Sequence, residues 1–260
     1  MPIRSIRATR YVTPLREGGS LPAIVEGDDE GLYVVKFRGA GQGSNALIAE
    51  LVAGEIGRAL ELPVPEIVLV DLDADLARTE PDPEIQDLIR ASAGLNLALD
   101  YLPGSVMFDP LADSMDPLLA SSVVWFDAYV CNVDRTPRNP NLLVWHRRPW
   151  LIDHGAALYF HHGGGPYAAR AHDSFPLIAD HVLLRAATLL ASADAVLPTR
   201  LTVARLTEIL AAVPDGWLAD GAPYGDASAR RAAYVDYLRA RLEAPRRFVE
   251  EAHRAHSQRV

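Results

Sequence analysis

The chain has 260 residues, of which 49% are apolar and 23% charged, with a formal net charge of −9. That composition is of a folded globular chain with room for one large domain or two modest ones. The acidic balance argues against general affinity for nucleic acid or anionic lipid, both of which need clustered Lys and Arg. No apolar run reaches the roughly 18 residues of a membrane span. Met1-Pro2-Ile3-Arg4 lacks the apolar stretch of a signal peptide, so a cytoplasmic protein is expected. The single cysteine, Cys131, excludes an internal disulfide and a cysteine-based zinc site. It stands among Tyr129, Val130 and Val133, where a buried structural thiol is expected.

The first 40 residues alternate in the manner of strands. Ala23-Ile24-Val25-Glu26 and Leu32-Tyr33-Val34-Val35-Lys36-Phe37 predict a hairpin around the turn Gly27-Asp28-Asp29-Glu30-Gly31. Gly39-Ala40-Gly41-Gln42-Gly43 is a flexible loop, and Ser44 or Asn45 is a candidate helix cap. Residues 46–61 have helical apolar spacing at Leu47, Leu51, Ile56 and Leu60, ended by Pro63 and Pro65. Ile67-Val68-Leu69-Val70 is a further strand, and the acidic stretch 71–96 holds a short surface helix. The apolar run 97–101 before Pro103-Gly104 is expected as a connector between two halves. Helical spacing returns over 116–131. A loop with Pro137 and Pro140 follows, then a second hairpin, Leu142-Leu143-Val144-Trp145 with Trp150-Leu151-Ile152. Residues 154–176 form a Gly- and His-containing loop, expected as an activation or substrate segment, and 177–260 are mostly helical. The order is α+β: a β-rich first part with one helix, then a mainly helical part.

The chemistry concentrates in Asp134-Arg135-Thr136-Pro137-Arg138-Asn139 and Leu151-Ile152-Asp153-His154-Gly155. Phosphoryl transfer needs one carboxylate to orient a hydroxyl and accept its proton. It also needs a neutral oxygen and a second carboxylate to hold magnesium against phosphates. Asp134, Asn139 and Asp153 supply that set, and a hairpin brings the last two together. Upstream, Lys36 sits in an apolar strand with Val35 and Phe37 on the opposite face. A lysine there either protects a sheet edge or grips phosphates. The helix that follows offers two carboxylates to hold it, Glu50 beside small residues and Glu55 within the apolar arc, and periodicity does not choose between them.

These segments resemble the HipA-like kinases, specifically the short HipA-related bacterial kinases, and more distantly the phosphoinositide lipid kinases and eukaryotic protein kinases. The likeness is carried by Tyr33-Val34-Val35-Lys36-Phe37, Glu50-x-x-Ala53-Gly54, Leu62-Pro63-Val64-Pro65, the two motifs above, and Val213-Pro214 to Trp217-Leu218. It implies a two-lobed kinase fold: residues 1–96 as the nucleotide-binding N-lobe, 97–104 as the hinge, and 105–260 as the C-lobe. It implies an ATP- and Mg2+-dependent kinase acting on a protein Ser/Thr or small-molecule hydroxyl. Lys36 would contact the nucleotide phosphates, with Glu50 paired to it. Ala98, Leu99, Asp100 and Tyr101 would meet adenine. Asp134 would be the base, and Asn139 and Asp153 the metal ligands. Arg135 or Arg138 becomes a candidate to neutralise charge on the transferred group. His154 replaces the Phe of protein kinases, and the three acids of the 27–31 turn do not suit a phosphate loop.

Two other classes compete. One is a nucleotide-binding regulatory module that binds a partner without transfer. The other is a metal-dependent hydrolase using His154, His161, His162 and His172. Against the latter, adjacent His161 and His162 would point apart on a strand.

Overall fold

The fold is given by a computed structural model that describes residues 3–15, 21–40, 43–163, 165–219 and 223–259. Five strands, β1 (Arg4–Pro14), β2 (Ala23–Gly27), β3 (Leu32–Lys36), β4 (Ile67–Leu72) and β5 (Gly94–Asp100), close a barrel in the order β1-β2-β3-β5-β4. The β1–β4 pair is parallel and the other pairs are antiparallel. Helix α1 (Gly43–Ala59) joins β3 to β4, and α2 (Pro83–Ala91) precedes β5, capped by Asp82, whose side chain accepts from Glu84 N–H.

The period-2 pattern sorts the strand residues between two hydrophobic cores. Tyr33, Val35, Val68, Val70 and Ala98 fill the barrel. Their neighbours Ile67, Leu97 and Leu99 turn outward into the larger core of the helical part. Strand β5 is therefore apolar on both faces, which is why 97–101 reads as one apolar run. The expected connector there is corrected: 97–100 complete a central barrel strand, and the irregular link begins at Tyr101.

Helix α1 packs against β4 and β5 on one side and against two C-terminal helices on the other, α5 (Val203–Ala211) and α6 (Asp215–Leu218). Its apolar residues Leu47 to Ile56 belong to the larger core, not to the barrel. It begins at Gly43, so Ser44 and Asn45 lie in its first turn rather than at its cap.

The helical part opens with β6 (Val106–Met107) and α3 (Pro117–Val130), then the hairpin β7 (Leu142–Trp145) and β8 (Arg148–Leu151), the three strands pairing as β6-β7-β8. Helices α4 (Leu190–Arg200), α7 (Ala227–Arg241) and α8 (Arg247–Arg259) complete it. Trp125, Phe126 and Tyr129 of α3 lie at its centre, with Trp125 stacked on Tyr129 at 5.3 Å between ring centroids. Cys131 ends α3 in a left-handed conformation and is half-buried, its Sγ 3.4 Å from the Tyr237 hydroxyl. The segment 154–176 is not an open loop. Short 3-10 turns at Tyr159–His162 and Tyr167–Arg170 bury Phe160, His161 and Tyr167.

Candidate active site

Between the barrel and the helical part lies a cleft of about 830 Å³, within the size of small-molecule sites. Its apolar lining includes Val34, Leu99, Leu102, Met107, Leu143 and Ile152. The lining also gathers Lys36, Glu50, Asp134, Asn139 and Asp153 from four separate stretches of the chain.

Lys36 ends β3 and faces the cleft because Val35 and Phe37 face the barrel core. Its Nζ lies 2.6 Å from Asp153 Oδ1 and 3.9 Å from Glu50 Oε2. Of the two carboxylates in α1, Glu50 is the one brought to Lys36; Glu55 pairs with Arg58 at 3.1 Å. Glu50 is 1% exposed, and neither of its oxygens has a hydrogen-bond partner among the described residues. His154 Nδ1 stands 3.4 Å from its other oxygen. Burial opposes ionisation of Glu50, but Lys36 and then His154 outweigh it and hold the carboxyl well below its ordinary range. The Lys36 ammonium, disfavoured by burial, is held above its ordinary value by Glu50 and Asp153.

Asp134 and Asn139 lie on the loop after α3. Asn139 Nδ2 donates to Asp134 Oδ2 at 2.8 Å, and the turn between them closes through paired Thr136 and Asn139 backbone bonds of 3.0 and 3.1 Å. The bond leaves the Asn139 carbonyl oxygen and the Asp153 carboxylate as hard donors of the kind a divalent cation takes. Asp153 itself has φ +56°, a left-handed conformation that costs a non-glycine residue about 1–2 kcal/mol and is found at functional sites.

The loop is anchored from below by a group the sequence reading did not single out. Asp127, fully buried in α3, accepts from Arg135 Nε (2.6 Å), Asn132 Nδ2 (2.9 Å) and His181 Nε2 (2.8 Å). Leu183 N–H donates to His181 Nδ1, which places the His181 proton on Nε2, toward Asp127. Arg135 also donates to the carbonyls of Asn141 and Ile152, tying the loop to the residue before Asp153. Arg135 is 1% exposed and committed to these partners, so its candidacy for the transferred group is withdrawn; Arg138 is exposed. The signal available in sequence was Asp127 itself, one acid inside the apolar run 123–130.

Leu99, Asp100 and Tyr101 line the cleft, but the Ala98 side chain belongs to the barrel core and is not brought to it. Asp100 N–H donates to Glu66 O and Tyr101 N–H to Leu32 O, so both are occupied within the barrel. The acidic 27–31 turn is bound by Arg4, which meets Asp29 at 2.7 Å. The ends of β1 and β2 also reach the cleft, through Pro14, Leu15 and Pro22. The Gly39 to Gly43 loop falls partly outside the described residues.

His161 and His162 do not point apart. On their 3-10 turn the two Nε2 atoms stand 3.1 Å from each other, while His161 Nδ1 meets the Tyr234 hydroxyl at 2.9 Å. Among the described residues no three His, Cys, Asp or Glu side chains gather as a metal cage.

Residues 9–244 match the sequence profile of a family described as HipA-like kinase. The chain belongs to that family. No curated protein sequence matches significantly. Among solved structures, this HipA-like kinase is similar to the Helicobacter pylori proinflammatory kinase CtkA, with a TM-score of 0.57 at 15% identity over 100% of this chain and 99% of that one. It is also similar to the Golgi casein kinase with Mn/ADP bound, with a TM-score of 0.50 at 10% identity over 98% of this chain and 73% of that one. Both likenesses show the kinase-like fold: a small β-rich N-terminal part and a larger helical part. The HipA-like kinase is thus a phosphotransferase, as the motifs around Lys36, Asp134 and Asp153 imply. No helix of the described residues is long and apolar enough to cross a membrane.

Proposed function

We propose that this HipA-like kinase binds ATP with Mg2+ in the cleft and transfers the γ-phosphoryl group to a hydroxyl, of Ser or Thr in a protein or of a small molecule. The observation that carries the reading is the cleft's lining: apolar side chains together with Lys36, Glu50, Asp134, Asn139 and Asp153, in which Lys36 meets Glu50 and Asp153 and Asn139 meets Asp134. The apolar lining fits a base and sugar; the polar groups fit a polyphosphate.

The residues suit the metal. Mg2+ takes one or two protein oxygens and completes its shell with phosphate and water, and Asn139 and Asp153 offer two such oxygens. Bound there, Mg2+ would neutralise phosphate charge. Lys36, moved from Asp153 toward Glu50, holds a phosphate oxygen. Asp134 Oδ2 is fixed by Asn139 and by Asn141 Nδ2 at 3.4 Å. Its Oδ1 then orients the acceptor hydroxyl and receives its proton as the new P–O bond forms and the bond to ADP breaks. Asp100 C=O and Leu102 N–H, next to the two occupied amides, serve the adenine edge.

The test is thermal melting with ATP, with Mg2+ and with both, for the wild type and Asp153→Asn. A ligand at 100 times its Kd adds about 2.7 kcal/mol, a shift of a few degrees. A Mg2+-dependent shift in the wild type that Asp153→Asn loses supports the reading. No shift with ATP and Mg2+ together overturns it.

A further inference from the structure

Among the described residues, helix α7 contains a buried cation with no acid bonded to it. Arg230 is 3% exposed, and its four hydrogen-bond partners among those residues are all neutral oxygens: Asn45 Oδ1 (2.7 Å), the Tyr167 hydroxyl (3.3 Å), Leu218 O (3.4 Å) and the Tyr234 hydroxyl (3.4 Å). A buried charge is costly unless its donors are met, so this guanidinium stays only where the surrounding oxygens are held for it. Three of the four come from other elements: the first turn of α1, the segment that follows Asp153, and α6. The fourth, Tyr234, is also bound by His161 of that same segment at 2.9 Å.

The best-formed of these bonds, to Asn45, spans 185 positions in the chain. Glu50 stands five residues further along the same helix, about 7.5 Å of rise away. Among the described residues Glu50 has no hydrogen bond, only ionic contacts with His154 Nδ1 at 3.4 Å and Lys36 Nζ at 3.9 Å; whether it meets Lys36 depends on how α1 is seated. In turn Glu50 competes with Asp153 for Lys36, at 3.9 Å against 2.6 Å. A small displacement of α1 would therefore decide which carboxylate the ammonium joins, and whether Asp153 is released for a cation.

We infer that Arg230 is a positioning residue for phosphotransfer, clamping the start of α1 to the segment after Asp153 so that Glu50 is held to draw Lys36 off Asp153. The inference rests on the active-site reading above.

The experiment compares the 260-residue wild type with Asn45→Ala, Arg230→Met, Arg230→Lys and the double variant Asn45→Ala/Arg230→Met. It reads ADP release with Mg2+ and ATP, and hydrogen–deuterium exchange of a peptide covering residues 46–52. Loss of the Arg230–Asn45 hydrogen bond, which both substitutions remove, predicts about a tenfold fall in kcat for Asn45→Ala and a fall at least as large for Arg230→Met. KM for ATP should stay within about threefold, because the apolar lining is untouched. Exchange across 46–52 should quicken in both. The double variant should be no worse than the worse single one, since both cut the same link, and Arg230→Lys should recover part of kcat. A general packing role would instead give multiplying losses that follow Tm. Wild-type kcat and exchange in Asn45→Ala overturn the inference, and that variant decides the matter even where Arg230→Met does not fold. If the wild type releases no ADP, the active-site reading fails; exchange across 46–52 then tests the clamp separately, and unchanged exchange in Asn45→Ala removes that too.

Discussion

Lys36 stands closer to Asp153, 2.6 Å away, than to Glu50, 3.9 Å away. The Asp153 side chain is 40% exposed and that of Glu50 is 1% exposed, so the ammonium reaches toward the wetter carboxylate while remaining within the field of the drier one. The proposed metal ligand and the proposed phosphate grip thus occupy each other. Lys36→Met should leave Asp153 unpaired: Mg2+ binding in a calorimetric titration should be no weaker than in the wild type, while ADP release falls at least about 100-fold. Turnover within about threefold of wild type would exclude Lys36 from the phosphate site.

Asp134 is the second test. General-base contributions are about 10²–10⁴-fold, so Asp134→Asn should lose turnover on that scale while its ATP-dependent melting shift persists. Loss of the shift as well would make Asp134 a binding group instead of a base.

Asp127 should matter for stability rather than binding. It is fully buried beneath three donors, Arg135, Asn132 and His181. Asp127→Ala leaves the Arg135 cation without its counter-charge, which costs about 3–5 kcal/mol and should show as a lower urea midpoint. Arg138→Ala, on the exposed tip of the same loop, should shift stability by no more than about 0.5 kcal/mol.

Acid should unfold the protein partly through His161. Burial, and then His162, push its imidazole from 6.5 down to about 3. Between those values the unfolded chain holds a proton that the folded chain does not, so stability is full above pH 6.5 and lost as the pH falls toward 3. One such group contributes at most about 1.4 kcal/mol per pH unit. His181, also lowered by burial, acts in the same direction. Urea melts of His161→Gln should show a shallower slope between pH 6 and 4; an unchanged slope would mean His161 is protonated in the fold.

Much of this site is legible in the sequence because its parts are local patterns. The β2–β3 hairpin, α1 and the β7–β8 hairpin follow from apolar period and turn residues, and they deliver Lys36, Glu50 and Asp153. What sequence does not carry is which face a charge meets after folding. Arg135 looks like any loop arginine until Asp127, on a helix otherwise read as core, is placed beneath it. Arg230 looks like a surface residue of an Arg-rich helix. On a strand His161 and His162 would point apart; on their 3-10 turn the two rings meet. Strand β1 is half exposed, with Arg4, Arg7 and Arg10 along it, so its alternation is too polar to bound; β5 is apolar on both faces and loses its alternation altogether.

That double-faced β5 also bears on how the molecule comes apart. It hydrogen-bonds to β3 and β4 as a stave of the barrel, while Leu97 and Leu99 lie in the core shared with α1 and α3. Cutting the chain after residue 96 would remove the last residues of that stave and bare the apolar side of α1 at once. Neither piece should then fold alone, and heat should melt barrel and helices together, in a single cooperative transition.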